Sequence, residues 1–142
     1  MSLPKHIAEK IHASFARQSL MTTFNAELIS VAPGVVRISA PITDDVRQQH
    51  GAAHAGLTFA LGDTAAGYAA LTRIEGASDV MTAEMKINLL RPGIGASLIA
   101  EGRVLKAGQR LIVVQADVFA ETQGKTSLVA ALQGTMVPVT SS

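Results

Sequence analysis

Residues 55–72 read AGLTFALGDTAAGYAALT, a helix-length block of small and apolar residues with one charged side chain, Asp63. Nine positions between 55 and 70 are alanine or glycine: Ala55, Gly56, Ala60, Gly62, Ala65, Ala66, Gly67, Ala69 and Ala70. No face of this block carries enough charge to lie against water, and a helix that is apolar all round is a buried helix. Gly62 and Gly67 each cost about 1 kcal/mol against alanine inside a helix. Close approach by a curved sheet is the offset that explains both. The block therefore predicts its own surroundings: something must wrap it.

The rest of the chain supplies the wrapping. Residues 79–90 alternate, with Met81, Ala83, Met85, Ile87 and Leu89 on one face and Thr82, Glu84, Lys86 and Asn88 on the other. Residues 97–106, 110–121 and 126–138 are three further strands, parted by turns at Ala107-Gly108-Gln109 and Gln123-Gly124-Lys125. Upstream, Ala26, Leu28 and Val31 lead through Pro33-Gly34 into Val35–Ala40, a hairpin, and 41–53 is a polar surface loop. Pro4 is tolerated in a first helical turn, and Ile7, Ile11, Phe15 and Leu20 recur at helical spacing, so 4–19 is an amphipathic helix. The order is helix, hairpin, buried helix at 55–72, then four strands. This is an α+β class, a long antiparallel sheet wrapped around one central apolar helix, in a single domain over 1–142.

Composition narrows the partners. Of 142 residues, 48% are hydrophobic and 16% charged, and mean hydropathy is +0.30. No run approaches the ~20 apolar residues of a spanning helix, so the expectation is no membrane and burial against copies of the same chain, a homo-oligomer. A net charge of +1, dispersed basic residues and 4% aromatics give no nucleic-acid footprint. The absence of cysteine removes disulfides and thiolate chemistry. The N-terminal segment lacks the basic head and apolar core of a secretory signal, so cytoplasm is the expected compartment.

Asp63 has only apolar neighbours at helical spacing: Phe59, Ala60, Ala66, Gly67 and Ala70. It stands beyond the first turn, where the helix dipole would favour it. An unpaired buried carboxylate costs several kcal/mol unless its pKa rises or a donor reaches it. Such a group fits a general base or nucleophile, or else it faces a solvent gap or caps another element. His54 precedes the helix. It is either a loop or capping histidine, or part of a helix N-terminus that polarises a carbonyl oxygen. His54 and Asp63 lie nine residues apart, about 13 Å along a helix, so one site needs a second copy of the chain. No His or carboxylate spacing fits a metal, and no phosphate-binding glycine loop, nucleophile elbow or dinucleotide fingerprint is present.

His54-Ala55-Gly56 with Leu57, Leu61 and Asp63, then Ala69-Ala70, resembles the central-helix motif of hotdog-fold acyl-CoA thioesterases, nearest the PaaI-type branch. The strand Thr82-Ala83-Glu84-Met85-Lys86-Ile87-Asn88-Leu89-Leu90-Arg91-Pro92 is similar to that family's next strand, and the resemblance covers about residues 20–138. It implies a cofactor-free acyl-CoA hydrolase. Asp63 is then the base or nucleophile, the N–H of Ala55 or Gly56 polarises the carbonyl, His54 orients the thioester or its donor, and Thr82 positions water. It also implies dimers paired edge to edge and stacked as tetramers.

Two positions depart from the family pattern. Ala55 stands where a glycine is usual, and Gln48 where an asparagine often precedes the histidine. Arg91, Lys106 and Arg110, at strand ends or turns, are candidates for the CoA phosphates or solvated turn cations. Tyr68 is a candidate pocket residue. A hydroxyacyl-thioester dehydratase or hydratase and a non-catalytic acyl-CoA-binding protein are the alternatives.

Overall fold

A computed structural model describes residues 2–75 and 78–140; residues 1, 76–77 and 141–142 of the expected 1–142 domain lie outside them. The chain runs α1 (Lys5–Ala16), α2 (Ser19–Thr23), β1 (Glu27–Ala32), β2 (Val35–Pro41), a 3-10 turn (Asp44–Val46), α3 (Ala55–Leu71), β3 (Ser78–Leu89), β4 (Ser97–Ala107), β5 (Ile112–Thr122) and β6 (Lys125–Thr140). The six strands form one sheet in the order β1-β2-β4-β5-β6-β3, and every neighbouring pair is antiparallel. α3 carries the chain from β2 to the opposite edge at β3, so the connecting helix lies across the sheet that it joins. The expected wrap of sheet around helix is the observed one.

The packing follows the period of each element. Along β5, Ile112, Val114, Ala116, Val118 and Ala120 are buried while the residues between them are partly exposed. They meet Leu57, Leu61, Ala65, Ala66 and Ala69 of α3 in one core. The hairpin turns suit their residues: Gly34 has φ +75°, and Gln123 and Gly124 have φ +52° and +80°, a two-residue turn with both centres left-handed. At the far end of α3, the Thr72 hydroxyl donates to the Ala69 carbonyl at 2.6 Å and accepts the Gly34 N–H at 2.8 Å, tying the first hairpin to the helix.

The tight approach of sheet to helix rests on one of the two expected glycines, Gly62, and on a third in the sheet. A Cβ on Gly102 of β4 would lie 2.3 Å from the Ala65 carbonyl carbon and 2.4 Å from the Ala66 nitrogen, both helix backbone. Gly62 also sits close, since its Cβ would meet Leu132 Cδ2 at 2.8 Å. Gly67 does not: the nearest atom to a Cβ there is 3.8 Å away. Gly67 instead lines an open cavity beside Asp63.

Three other expectations change. The helix over 4–19 breaks after Ala16, with Gln18 extended at φ −80°, ψ 101°. The break re-phases the apolar stripe, so Met21 is buried and Leu20 is 51% exposed. The loop 41–53 is anchored, because Ile42, Val46, Ala52 and Ala53 are buried in it. The alternation over 79–90 is interrupted by a bulge between Thr82 and Glu84 that leaves Ala83 as the extra residue. An inserted residue flips the parity of a strand. Val80 and Thr82 therefore share the helix-facing side with Met85 and Ile87, and Met81 on the other side is 62% exposed; Leu89 keeps the parity of Met85 and Ile87 but is 58% exposed at the end of the strand. Gly134 pairs with Met85 just past the bulge, and a Cβ there would lie 2.4 Å from the Glu84 carbonyl oxygen.

Candidate functional site

The side of α3 that the sheet leaves partly open carries Ala55, Gly56, Phe59, Ala60, Asp63, Thr64 and Gly67. Asp63 is thus half-buried among small groups. Among the described residues its one hydrogen-bond partner is the Thr82 hydroxyl, which donates to Oδ1 at 2.7 Å. Burial raises the Asp63 pKa above the ordinary carboxylate value, and the Thr82 hydrogen bond pulls in the opposite direction. The bulge at Ala83 makes this contact possible. The expectation that Thr82 lies on the same face as Glu84, Lys86 and Asn88 is wrong for that reason.

Asp63 opens into a cavity of about 250 Å³ lined by α1, α3 and the start of β3. The Tyr68 hydroxyl lies in that cavity, 2.7 Å from the Gln18 amide nitrogen and 2.9 Å from the Ser14 hydroxyl. Phe15 packs on the Tyr68 ring with centroids 6.3 Å apart. Ser14, Gln18 and Asp79 beside Asp63 escaped the sequence reading. The available signal was the polar pair Ser14 and Gln18 at helical spacing next to the apolar Ile7-Ile11-Phe15 stripe, which alone reads as an ordinary helix boundary.

The N-terminus of α3 is arranged by His54. Its backbone is extended, and its Nδ1 accepts the Gly56 N–H at 2.8 Å. Gly56 has to be small there, because a Cβ would come within 2.9 Å of that nitrogen. An Nδ1 that accepts carries no proton, which puts the neutral ring's proton on Nε2. The cap also uses the Gly56 donor. Among the described residues no acceptor takes the Ala55 N–H, so of the two expected carbonyl-polarising groups Ala55 is the one available.

Ala55, Gln48 and Arg91 line a second cavity of about 340 Å³ with Leu89, Leu90 and Pro92. Gln48 spends its side-chain oxygen on the loop, accepting from His50 N at 2.7 Å and Ala52 N at 3.2 Å. His54 and Gly56 line a third, of about 290 Å³. Lys106 and Arg110 are exposed at the β4–β5 turn, beyond the Val104–Gly34 hydrogen bond that neighbours the C-terminal end of α3. Within one protomer, then, the structure joins Asp63, Thr82 and Tyr68, and separately Ala55, Gln48 and Arg91. It does not bring Lys106 or Arg110 to either group. Among the described residues no helix is long and apolar enough to cross a membrane.

The sequence profile of the Thioesterase superfamily matches residues 50–127, the span from before His54 to the start of β6. A Saccharolobus solfataricus protein provisionally named an esterase is 32% identical over 101 residues, 71% of each chain. The crystal structure of a thioesterase family protein from Silicibacter pomeroyi superposes with a TM-score of 0.92 at 34% identity, covering 95% of this chain and 99% of that one. The PaaI protein of the E. coli phenylacetic acid degradation operon has the same fold, with a TM-score of 0.85 at 24% identity over 97% of this chain and 96% of its own. By a profile match over more than half its length, the chain belongs to the thioesterase superfamily, acyl-thioester hydrolases with the hotdog fold.

Proposed function

We propose that the chain hydrolyses acyl-CoA-type thioesters to a free acid and CoA thiol, as one domain in a homodimer whose subunits share each active site. The observation that carries this reading is Asp63: a half-buried carboxylate that, among the described residues, is hydrogen-bonded only by Thr82 and lies in a cavity lined by no cation. A cation would hold its pKa down and weaken it as a base. Asp63 either takes the proton of a water that attacks the thioester carbon, or attacks that carbon itself to give a mixed anhydride that water then cleaves to the free acid. A C–O bond forms, the C–S bond breaks, and the thiolate leaves and is protonated. The Ala55 N–H carries the developing oxyanion. His54 fixes the turn that aims it, and the Gln48 amide NH2 helps to orient the substrate. Arg91 meets the CoA phosphates, whereas Lys106 and Arg110 would reach them only across a subunit boundary.

Two features support the shared site. Ala55 and Asp63 line different cavities and are about 12 Å apart along the helix axis, too far to act on one carbonyl. β3 is a 12-residue edge strand with Met81 and Leu89 exposed on it, and a long apolar edge is a template for pairing. Two β3 strands side by side would bring the Ala55 turn of one copy toward Asp63 of the other, and two such dimers would stack as the tetramer.

Release of thiol from a panel of acyl-CoAs without added metal tests the activity. Consumption of an enoyl thioester with no thiol released would favour a hydratase instead. Ala55→Pro tests the sharing. Proline is tolerated at a first helical position and needs an extended residue before it, which His54 is. It removes only the N–H, so kcat is expected to fall about 10²-fold. Mixing that variant with Asp63→Asn should restore a substantial fraction of activity, because one site of each mixed dimer is then intact. Independent sites would give no rescue.

Thr82→Val should move the acid limb of the kcat/KM profile to higher pH. The lost hydrogen bond is the one that lowers the Asp63 pKa, so the active carboxylate form appears later in the titration. An acid limb that stays in place would separate Thr82 from Asp63 basicity.

A further inference from the structure

The N-terminal segment supplies part of the wall of the Asp63 cavity. Ser14, near the end of α1, and Gln18, just beyond it, both bond the Tyr68 hydroxyl. Tyr68 is itself buried and lies about 7.5 Å further along the α3 axis than Asp63. The cavity therefore has a reacting end at Asp63 and Thr82 and a distant end at Ser14, Gln18 and Tyr68. At about 250 Å³ it lies below the usual range of ligand pockets, which suits a short acyl group better than a long one.

The distant end is polar and has hydrogen-bonding capacity left over. Gln18 donates through its nitrogen to Tyr68, and among the described residues no donor reaches its amide oxygen. The Ser14–Tyr68 pair shares one hydrogen bond, which either hydroxyl can donate, and so retains a second proton. A group that both donates and accepts matches that end. An anionic group does not, because Asp63 and Asp79 both line the cavity and, among the described residues, no lysine or arginine does. Lys10 donates to the Ser78 carbonyl next to Asp79 without lining it.

We infer that Ser14, Gln18 and Tyr68 are specificity-determining residues, which select a short, uncharged acyl group with a hydroxyl-like substituent at its distant end. This rests on the thioesterase reading above and extends it. The N-terminal helix, which lies outside the span matched by the superfamily, then sets which thioester is hydrolysed, while α3 and β3 supply the chemistry.

The test is kcat/KM for thiol release from hexanoyl-, 6-hydroxyhexanoyl-, adipoyl- and dodecanoyl-CoA. The wild-type chain is expected to prefer 6-hydroxyhexanoyl over hexanoyl by about tenfold, one neutral hydrogen bond's worth of discrimination, and to disfavour adipoyl and dodecanoyl. Gln18→Leu and Tyr68→Phe should each reduce the hydroxyacyl-to-acyl ratio by about tenfold, and Asp79→Asn should raise adipoyl relative to hexanoyl. Tyr68→Phe keeps the ring that packs on Phe15, and a ratio within one variant cancels any loss of folded protein. Ratios unchanged in both variants, or dodecanoyl as the best substrate, overturn the specificity assignment while Asp63-dependent hydrolysis still stands. No thiol release from any of the four, or release that survives Asp63→Asn, overturns the thioesterase reading and this inference together.

Discussion

Asp63→Asn should lower kcat/KM for thioester hydrolysis by about 10³-fold, within the range that a positioned base contributes, and should raise the thermal midpoint at pH 7. Asparagine keeps an oxygen that can accept from Thr82, so the change removes charge and basicity with little change of shape. The stability gain follows from the direction of the pKa shift. Burial raises the folded-state pKa of Asp63, so the folded chain holds that proton more tightly than the unfolded chain does. The group's favourable contribution is complete below the ordinary carboxylate range and is lost as pH rises through the raised value. At neutral pH the ionised carboxylate is therefore a burden on the fold that asparagine lifts, and the difference between variants should close below about pH 4. Thiol-release kinetics and thermal melts across pH check both halves. Near wild-type turnover would remove Asp63 from the chemistry, and a lower midpoint at pH 7 would mean that its burial carries no cost.

Gly102→Ala should cost about 3 kcal/mol or more of stability. The added methyl would overlap backbone atoms of Ala65 and Ala66 at 2.3–2.4 Å, and backbone cannot rotate aside as a side chain does. Relief requires α3 to lift from β4, which loosens the contacts of Leu61, Ala65 and Ala66 along the core. Overpacking ordinarily costs about 1–3 kcal/mol, and a backbone collision belongs at or beyond the top of that range. For a chain of this size the thermal midpoint should fall by about 10 °C. Chemical denaturation gives the free energy directly. A loss below about 1 kcal/mol would show that the helix can move off the sheet at little cost.

Much of the architecture was legible because it depends on local pattern. The small-residue block at 55–72 could only be a buried helix, and the alternating segments after it could only be its wrapping. The turns at Pro33-Gly34 and Gln123-Gly124 fell where the left-handed conformations were needed. Asp63 and His54 stood out in the sequence as candidates because one is a lone carboxylate in an apolar block and the other opens a helix. The N-terminal break at Gln18 and the bulge at Ala83 were not legible. Both are single-residue changes of phase, and apolar periodicity on either side reads the same with or without them. Yet each decides a contact: the break sets Gln18 against Tyr68, and the bulge turns Thr82 toward Asp63.

Sequence alone determined the class of the fold and the carboxylate in its central helix, and helical rise by itself separates residues 54 and 63, the distance on which the proposed shared site rests. Tertiary structure alone decided which glycine admits the sheet to the helix, Gly102 rather than Gly67, and which N–H remains at the helix start, Ala55 rather than Gly56. It also decided that the first helix walls the Asp63 cavity. The division has a physical cause. Periodicity and charge are properties of a segment, while close approach and the allotment of a donor depend on atoms that meet only after distant segments pack.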